Sequence, residues 1–371
     1  EEFLLCKSGN AQVVDAFHRF VYGLANPSPA PDLWLRDDPA DPGADAWGGT
    51  FWDSPDLWIR NADDGGATHQ PPEYGQDNWF HARVRNKAGT GAAQHFVVTF
   101  HSKGFAGTQF QYPGDFLPCT AARAEFELAP GATRVVKARW PRALVPPEGS
   151  HTCLLASVIT RSEHPDAGRH VWEDNSLAQK NLTVVDLLPN AFMILPVTVA
   201  NWLRRFKDKF TLEVIRMRES AAFEASLIHP TPEVFATGVK PKPFVPFASC
   251  PSFAAEPVVL ECGGRVPGSR HAHRGRILTS AVPDLVLERY AQSWEVAFPT
   301  KGAARLPFDL PPFNQAVVGL KIAVPHDTKP GQVIRLHFVQ RSLALDRIVG
   351  GVAVQINVAT PGDLRPREKA L

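Results

Sequence analysis

Apolar and polar side chains alternate at every second position through much of this chain, as in strands that bury one face of a sheet. Turn residues such as Pro130-Gly131 separate these runs. Between 51 and 187 the pattern predicts about six or seven short strands, which is typical of an immunoglobulin-like sandwich. The clearest inward-facing sets are Phe80, Ala82 and Val84, then Phe96, Val98 and Phe100, then Ala124, Phe126 and Leu128.

The second half repeats this plan with less regularity. Alternation predicts strands near 191–198, 209–217, 293–298, 316–324, 332–340 and 351–358. Between about 218 and 290 lies a stretch containing Pro, Gly and His that is too long for a plain loop. We expect a short helix near 283–291 and edge strands within it. The second half is therefore predicted to be a second sandwich with a long insertion.

The N-terminal region follows a different pattern. Residues 11–24 place apolar side chains at helical spacing, which predicts one amphipathic helix, and the Pro-rich stretch 26–31 predicts an extended linker. We therefore expect an all-β fold of tandem immunoglobulin-like antiparallel β-sandwiches, with a short N-terminal helix and an extended linker. The expected domains are 1–50 (helix and acidic linker), 51–187 (sandwich 1) and 188–371 (sandwich 2, with its insertion at about 218–290).

The amino-acid composition limits the classes of partner that the protein is expected to bind. Lys plus Arg number 39 and Asp plus Glu 38, so no overall field steers nucleic acid toward the protein. The 34 prolines favour turns and sheet edges over helices. No apolar run is long enough for a transmembrane segment, and the start lacks the features of a signal peptide. We expect either that a signal peptide has been removed or that this is a piece of a longer product.

A seven-residue sequence motif, called the repeated phrase below, occurs twice early in the chain. Its second copy leads directly into the predicted strands. The copies are Pro31-Asp32-Leu33-Trp34-Leu35-Arg36-Asp37 and Pro55-Asp56-Leu57-Trp58-Ile59-Arg60-Asn61. Together with the alternating strands, they indicate a sandwich module for display or attachment.

An acidic segment follows the first copy. Asp37, Asp38, Asp41 and Asp45 surround a Pro-Gly turn, and closely spaced oxygen ligands on a tight loop are what calcium requires. These four side chains are candidate calcium ligands, although the segment lacks the EF-hand pattern and could equally be a solvated acidic loop. The segment Asp63-Asp64-Gly65-Gly66 is a weaker candidate and is also explained by a turn.

Aromatic side chains cluster in the same region. Trp47 and Trp52 flank Gly48-Gly49 and are predicted to be exposed, where they could stack on sugar rings or form a protein interface. Trp58 and Trp79 lie in or beside strands, so we expect them to fill the core.

Five cysteines allow two disulfides with one thiol remaining. The candidate pairs are Cys119 with Cys153 and Cys250 with Cys262, and buried free cysteines are the alternative. A weaker hypothesis places zinc at His271 and His273, with Cys262 and His229 in the same insertion.

No catalytic motif is present. We find no GxSxG elbow, no SxxK with its companion motifs, no HExxH helix and no Gly-rich phosphate loop after a strand. The sequence therefore predicts a protein that is not an enzyme, with no cofactor other than calcium.

Residues 52–186 resemble the bacterial cell-adhesion-related (CARDB-like) β-sandwich domains. The resemblance rests on Trp52-Asp53-Ser54-Pro55-Asp56-Leu57-Trp58-Ile59-Arg60-Asn61, Tyr74-Gly75-Gln76-Asp77-Asn78, Val84-Arg85-Asn86, His151-Thr152-Cys153-Leu154-Leu155-Ala156 and Asn175-Ser176-Leu177-Ala178-Gln179-Lys180-Asn181. Such domains are usually accessory parts of secreted or surface proteins. The resemblance therefore implies binding or spacing rather than chemistry.

The function predicted from these observations is non-catalytic attachment or assembly by a secreted or cell-surface protein. Its expected partner is another protein or a surface polymer, and a homo-oligomer is one form of such assembly. Two alternatives remain open: the C-terminal accessory region of a secreted hydrolase, such as a peptidase with its catalytic domain upstream, or a carbohydrate-binding module.

Overall fold

The computed structural model describes residues 30–87, 89, 91–104, 106–146, 151–201, 208–229, 242–243, 260–265, 272–277, 293–299 and 305–360. With the same gaps, the described chain divides into two compact units. The first contains 30–104, 109–146 and 152–181, and the second contains 106–108, 151 and 182–360. The helices predicted over 11–24 and near 283–291 lie outside the described residues.

The described part of the first unit contains nine strands: β1 (Leu33–Trp34), β2 (Leu57–Arg60), β3 (Asn78–Asn86), β4 (Ala93–Lys103), β5 (Leu117–Pro118), β6 (Arg123–Leu128), β7 (Thr133–Trp140), β8 (Cys153–Ile159) and β9 (Leu177–Lys180). In the front sheet, β3 pairs with β7 and with both β1 and β2. In the back sheet the order is β5-β4-β8-β9, and β6 also pairs with β4. Every pairing between these nine strands is antiparallel.

The alternating side chains of the two sheets face each other and form one core. Its members include Phe80, Val84, Trp140, Phe96, Phe100, Leu154 and Val158. Because side chains in a strand point alternately to opposite faces, the period-two pattern is enough to build such a core.

The first unit begins earlier than the sequence predicted. The expected boundary was at residue 51, but β1 pairs with the end of β3, with Leu33 opposite Asn86. Leu33 and Leu35 belong to the core. Residues 33–35 are therefore part of the sandwich and not of an acidic linker.

The second unit contains twelve described strands: β10 (Leu182–Leu187), β11 (Ala191–Ala200), β12 (Asp208–Arg216), β13 (Glu224–His229), β14 (Lys242–Pro243), β15 (Leu260–Arg265), β16 (Ala272–Ile277), β17 (Trp294–Ala297), β18 (Arg305–Leu310), β19 (Gln315–Ala323), β20 (Val333–Ser342) and β21 (Arg347–Val358). One sheet has the order β10-β21-β20-β12-β18, and the other has the order β14-β17-β13-β19-β11-β16-β15.

The inner faces of these two sheets form a second core. It includes Phe210, Leu212, Phe308, Phe338, Val354, Leu195, Val197 and Leu320. Two pairings are parallel, β10 with β21 and β11 with β16, so the second sandwich is not purely antiparallel. Residues 106–108 contact this core, because Ala106 lies within it and Gly107 bridges to Thr198.

The predicted all-β sandwich fold is confirmed. The helical content of the described residues is limited to two short 3-10 turns, Arg142–Leu144 and Val171–Glu173. Within the described parts of the chain, no helix is long and apolar enough to cross a bilayer.

Candidate functional site

The two copies of the repeated phrase occupy equivalent positions along one side of β3. β1 pairs with residues 85–86 of β3 and β2 with residues 79–82, both antiparallel. The backbone N–H of Lys87 donates to the carbonyl of Asp32 (3.0 Å), and the N–H of Arg83 donates to that of Asp56 (2.8 Å). The two copies therefore form two halves of one edge, and the chain leaves that edge between them as the acidic loop (residues 36–55).

Each copy places a tryptophan on the face opposite the core. Leu33 and Leu57 point into the core, so the following side chains, Trp34 and Trp58, point away from it. Both are nevertheless buried. The guanidinium of Arg85 lies 5.7 Å from the ring centroid of Trp34, and that of Arg83 lies 5.1 Å from that of Trp58.

A glycine-containing loop then folds back over each tryptophan. Gly43 of the acidic loop has a φ of +85° and packs so closely that a Cβ there would lie 2.7 Å from the Trp34 ring. In the second copy, the indole N–H of Trp58 donates to the carbonyl of Gly66 at 2.9 Å. The two acidic segments that the sequence suggested as calcium-binding sites therefore cover the two tryptophans.

The predicted calcium ligands do not converge. Asp41 accepts hydrogen bonds from the backbone N–H groups of Asp37 (2.9 Å) and Gly43 (2.8 Å). Asp38 accepts from the N–H of Ala40 (2.7 Å), while Asp45 is exposed. Among the described residues, no three His, Cys, Asp or Glu side chains form a group that could hold a metal ion. Asp41 and one oxygen of Asp38 therefore act as acceptors for the backbone of their own loop.

Asp37 differs from its neighbours because its side chain is only 3% exposed. Its Oδ1 accepts no hydrogen bond from any described residue. Burial raises the pKa of the Asp37 carboxyl well above its usual range, and the nearby Asp41, Asp38 and Asp174 raise it further.

Two further carboxyls that the sequence analysis missed lie in the same region. Burial, followed by the charges of Asp32 and Asp174, raises the pKa of Glu163 to about 7. Burial also raises the pKa of Asp174. No local motif marks either residue, because they come from a segment more than a hundred residues along the chain from the acidic loop.

The prediction that Trp47 and Trp52 are both exposed was wrong. Trp52 is 0% exposed and packs edge-on against Phe51, with ring centroids 5.2 Å apart. Trp47 is half-buried, and its indole N–H donates to Asp38 (3.2 Å) and to the carbonyl of Thr50 (3.0 Å). These two rings therefore do not form an exposed platform for a sugar.

The predicted disulfide between Cys119 and Cys153 was also wrong, because both are free and buried. β5 and β8 pair with opposite sides of β4, so Cys119 and Cys153 are two strand spacings apart. That spacing is roughly 9–10 Å, beyond the Cα separation a disulfide allows. Cys250 lies outside the described residues, so the pair with Cys262 is not described; the same holds for His271 of the zinc hypothesis.

Two buried thiols and one buried imidazole of the first unit have shifted pKa values. Burial raises the pKa of both thiols, which keeps them protonated and unreactive. Burial lowers the pKa of His101 to about 4, and its ring lies edge-on to Tyr112 at 6.0 Å. In Cys153 the sulfur accepts a hydrogen bond from the amide of Gln179 at 3.1 Å.

A second surface feature is the edge formed by β6 and β7. Within the described residues, β6 pairs with β4 and β7 with β3, each on one side only. Phe126 was predicted to face inward but is 56% exposed. The strand turns at Glu127, whose φ is +55°, so Leu128 reaches the core while Phe126 faces solvent beside His95.

No family model and no curated protein matches this chain. Among solved structures, it is similar to a red sea bream transglutaminase, with 11% identity, a TM-score of 0.22 and coverage of 82% of this chain and 31% of that one. It is also similar to the CupB6 tip adhesin from Pseudomonas aeruginosa, with 10% identity, a TM-score of 0.16 and coverage of 89% and 99%. Structural similarity at such low TM-scores supports no conclusion about function, so the function is inferred from the geometry.

Proposed function

We propose that this protein is a non-catalytic sandwich protein, secreted or on the cell surface, that acts in attachment or assembly by binding another protein. The observation that carries the proposal is the open edge of β6 and β7 in the first unit. A strand paired on one side only still offers backbone groups to an extended segment of a partner.

The side chains at this edge suit such a partner. Phe126 and Val135 are both largely exposed apolar groups on adjoining strands. The guanidinium of Arg134 donates to the backbone carbonyls of Phe126 and Glu127, which ties the two strands together. An extended protein segment could pair with the free side of β7 and bury apolar side chains against Phe126 and Val135.

The interior of the first unit supports a non-catalytic role. Its two described thiols are buried and stay protonated, so they lack the thiolate form that nucleophilic catalysis requires. The resemblance of 52–186 to CARDB-like domains supports the same role. An accessory region of a longer secreted hydrolase would use the edge in the same way, and the length of the intact gene product distinguishes the two.

The proposal is tested by comparing two equally exposed phenylalanines. Phe126 and Phe313 are each 56% exposed, and Phe313 lies in the second unit. The immobilised protein is used to isolate a partner from a surface extract of its own source, and the purified partner is then titrated against Phe126→Glu and Phe313→Glu.

We expect Phe126→Glu to weaken binding about tenfold or more, because an apolar anchor is replaced by a charge. Phe313→Glu should change the affinity less than about twofold. Equal affinities for the two variants, or a captured protein that binds both as well as the wild type, would show that the edge is not the attachment surface.

A further inference from the structure

Three carboxyls with raised pKa values lie where the N-terminal part of the first unit contacts a later segment, and Asp174 acts on both Asp37 and Glu163. We call Asp37, Glu163 and Asp174 the carboxyl cluster. Asp37 is buried, its Oδ1 accepts no hydrogen bond from the described residues, and the charged groups that act on it are all acidic: Asp38 and Asp41 of its own loop and Asp174. A buried carboxylate surrounded in this way has no favourable charged form.

The other two carboxyls face a similar environment. Glu163 accepts one hydrogen bond, from the N–H of Leu33 at 3.3 Å, and is acted on by Asp32, Asp45 and Asp174. Asp174 accepts from the N–H of Ser176 at 3.0 Å and is acted on by Asp45 and by one cation, Arg169.

The cluster lies at a junction made of direct hydrogen bonds. The N–H of Leu35 donates to the carbonyl of Asn175 (2.9 Å), and the N–H of Trp47 donates to that of Trp172 (3.0 Å). The side-chain amide of Asn175 donates to the carbonyl of Gly43 (3.1 Å), the glycine that covers Trp34. Charge repulsion within the cluster would therefore act directly on the contacts that hold the acidic loop down.

The second copy of the phrase shows which charge state fits this position. The residue equivalent to Asp37 is Asn61, and its Oδ1 is likewise buried without a hydrogen-bond partner among the described residues. Asparagine has the shape of aspartate but is always neutral. The same backbone phrase thus accommodates a neutral side chain at the corresponding site.

We propose that the folded protein favours the protonated form of Asp37, and that proton loss from the carboxyl cluster as the pH rises loosens the junction between the acidic loop and residues 172–176. The first unit then carries a pH-responsive loop that is most firmly closed at acidic pH.

The direction of the pH effect follows from linkage. Burial and like charge raise the pKa of each cluster member in the folded state, so the folded protein binds more protons than the unfolded chain. The resulting stability is fully present below the unfolded-state pKa of about 4 and is lost as the pH rises. For Glu163 the loss begins near its unfolded-state pKa and is complete once the pH has risen through its folded-state pKa of about 7.

The test compares thermal unfolding of the wild type with that of Asp37→Asn between pH 5 and pH 8. We expect the smaller difference at pH 5, where the loss of wild-type stability has only begun, and a Tm higher in the variant by roughly 3–6 °C at pH 8, with a flatter pH profile. The infrared band of a protonated carboxyl at pH 7 should be weaker in the variant. In the wild type, the rate of hydrogen exchange at residues 36–47 should rise with pH more steeply than base catalysis of the exchange reaction alone accounts for. In the variant, this additional increase should be much smaller.

The matched control is Asp64→Asn in the loop that covers Trp58. Hydrogen bonds from Arg60 and from the N–H of Gly66 hold the pKa of Asp64 below its usual range, so its loss should not raise the Tm at pH 8. If Asp37→Asn does not fold, Glu163→Gln replaces it with the same expected sign.

An Asp37→Asn variant that is less stable at pH 8, or that keeps the wild-type pH profile, would overturn the proposal. A rise in wild-type Tm on adding calcium chloride at pH 8, absent in Asp37→Asn, would also overturn it. In that case Asp37 is charged, and a cation rather than a proton neutralises it.

Discussion

The two copies of the repeated phrase share a backbone position but differ in how their charges are neutralised. In the second copy, Asp56 is buried and accepts two hydrogen bonds from Arg85, at 2.9 and 3.0 Å. In the first copy, the equivalent Asp32 pairs with Lys87 at 2.9 Å near the surface. The copies also differ at the last position of the phrase, where the first copy has the acidic Asp37 and the second has the neutral Asn61.

This difference shows what a repeated sequence does and does not specify. The phrase specifies a short edge strand with one side chain in the core and one tryptophan outside it. The partners of its polar side chains come from other strands and loops, so identical residues have different energies in the two copies. Two pairs of substitutions and one single substitution test this conclusion.

The largest effect is expected from Asp56→Ala. Removing the buried carboxylate leaves Arg85 without its bidentate partner, which should lower the free energy of unfolding by about 4 kcal/mol. The equivalent Asp32→Ala breaks a partly exposed pair and should cost less than about 1 kcal/mol. Urea denaturation measures both, and similar losses in the two variants would contradict the proposed difference.

A smaller effect is expected at the glycines of the two covering loops. Gly43→Ala combines a left-handed backbone with a contact at 2.7 Å to Trp34, so we expect a loss of about 3 kcal/mol. Gly65 has a φ of +67° but no atom within 4 Å of its Cβ position, so Gly65→Ala should cost only about 1 kcal/mol. Thermal unfolding compares the two, and an equal cost would mean that the Trp34 ring moves aside freely.

The smallest effect is expected when the second copy is made to resemble the first. Asn61→Asp places a carboxyl at a buried Oδ1 site, and burial should raise its folded-state pKa. Stability should match the wild type below the unfolded pKa of about 4 and fall by about 1–2 kcal/mol as the pH rises. Denaturation at pH 4 and pH 7 checks the sign, and a pH-independent loss would point to a steric cause instead.

Most of the fold could be predicted from the sequence, because strand alternation requires only that one face be buried. The predicted strands at 191–198, 316–324 and 351–358 correspond to β11, β19 and β21. Phe126 is an exception: its alternation with charged residues predicted a core position, but the backbone turn at Glu127 reverses the face of that residue.

The candidate site could be predicted only in part. The acidic loop was recognised, but whether its carboxylates meet a metal, a proton or backbone donors depends on the direction in which each side chain points. Glu163 and Asp174 could not be found from sequence, since only the tertiary structure brings Asp174 near Asp37 and Glu163 near Asp32 and Asp174.

The sequence alone determined that both halves are built of strands with one apolar face, and that one edge phrase is used twice, since these properties depend on neighbouring residues in the chain. Only the tertiary structure decided that β5 and β8 flank β4 and so keep Cys119 and Cys153 apart, and that Asp37 is buried among other acids. Such outcomes depend on distances between segments far apart in sequence, which no local pattern encodes.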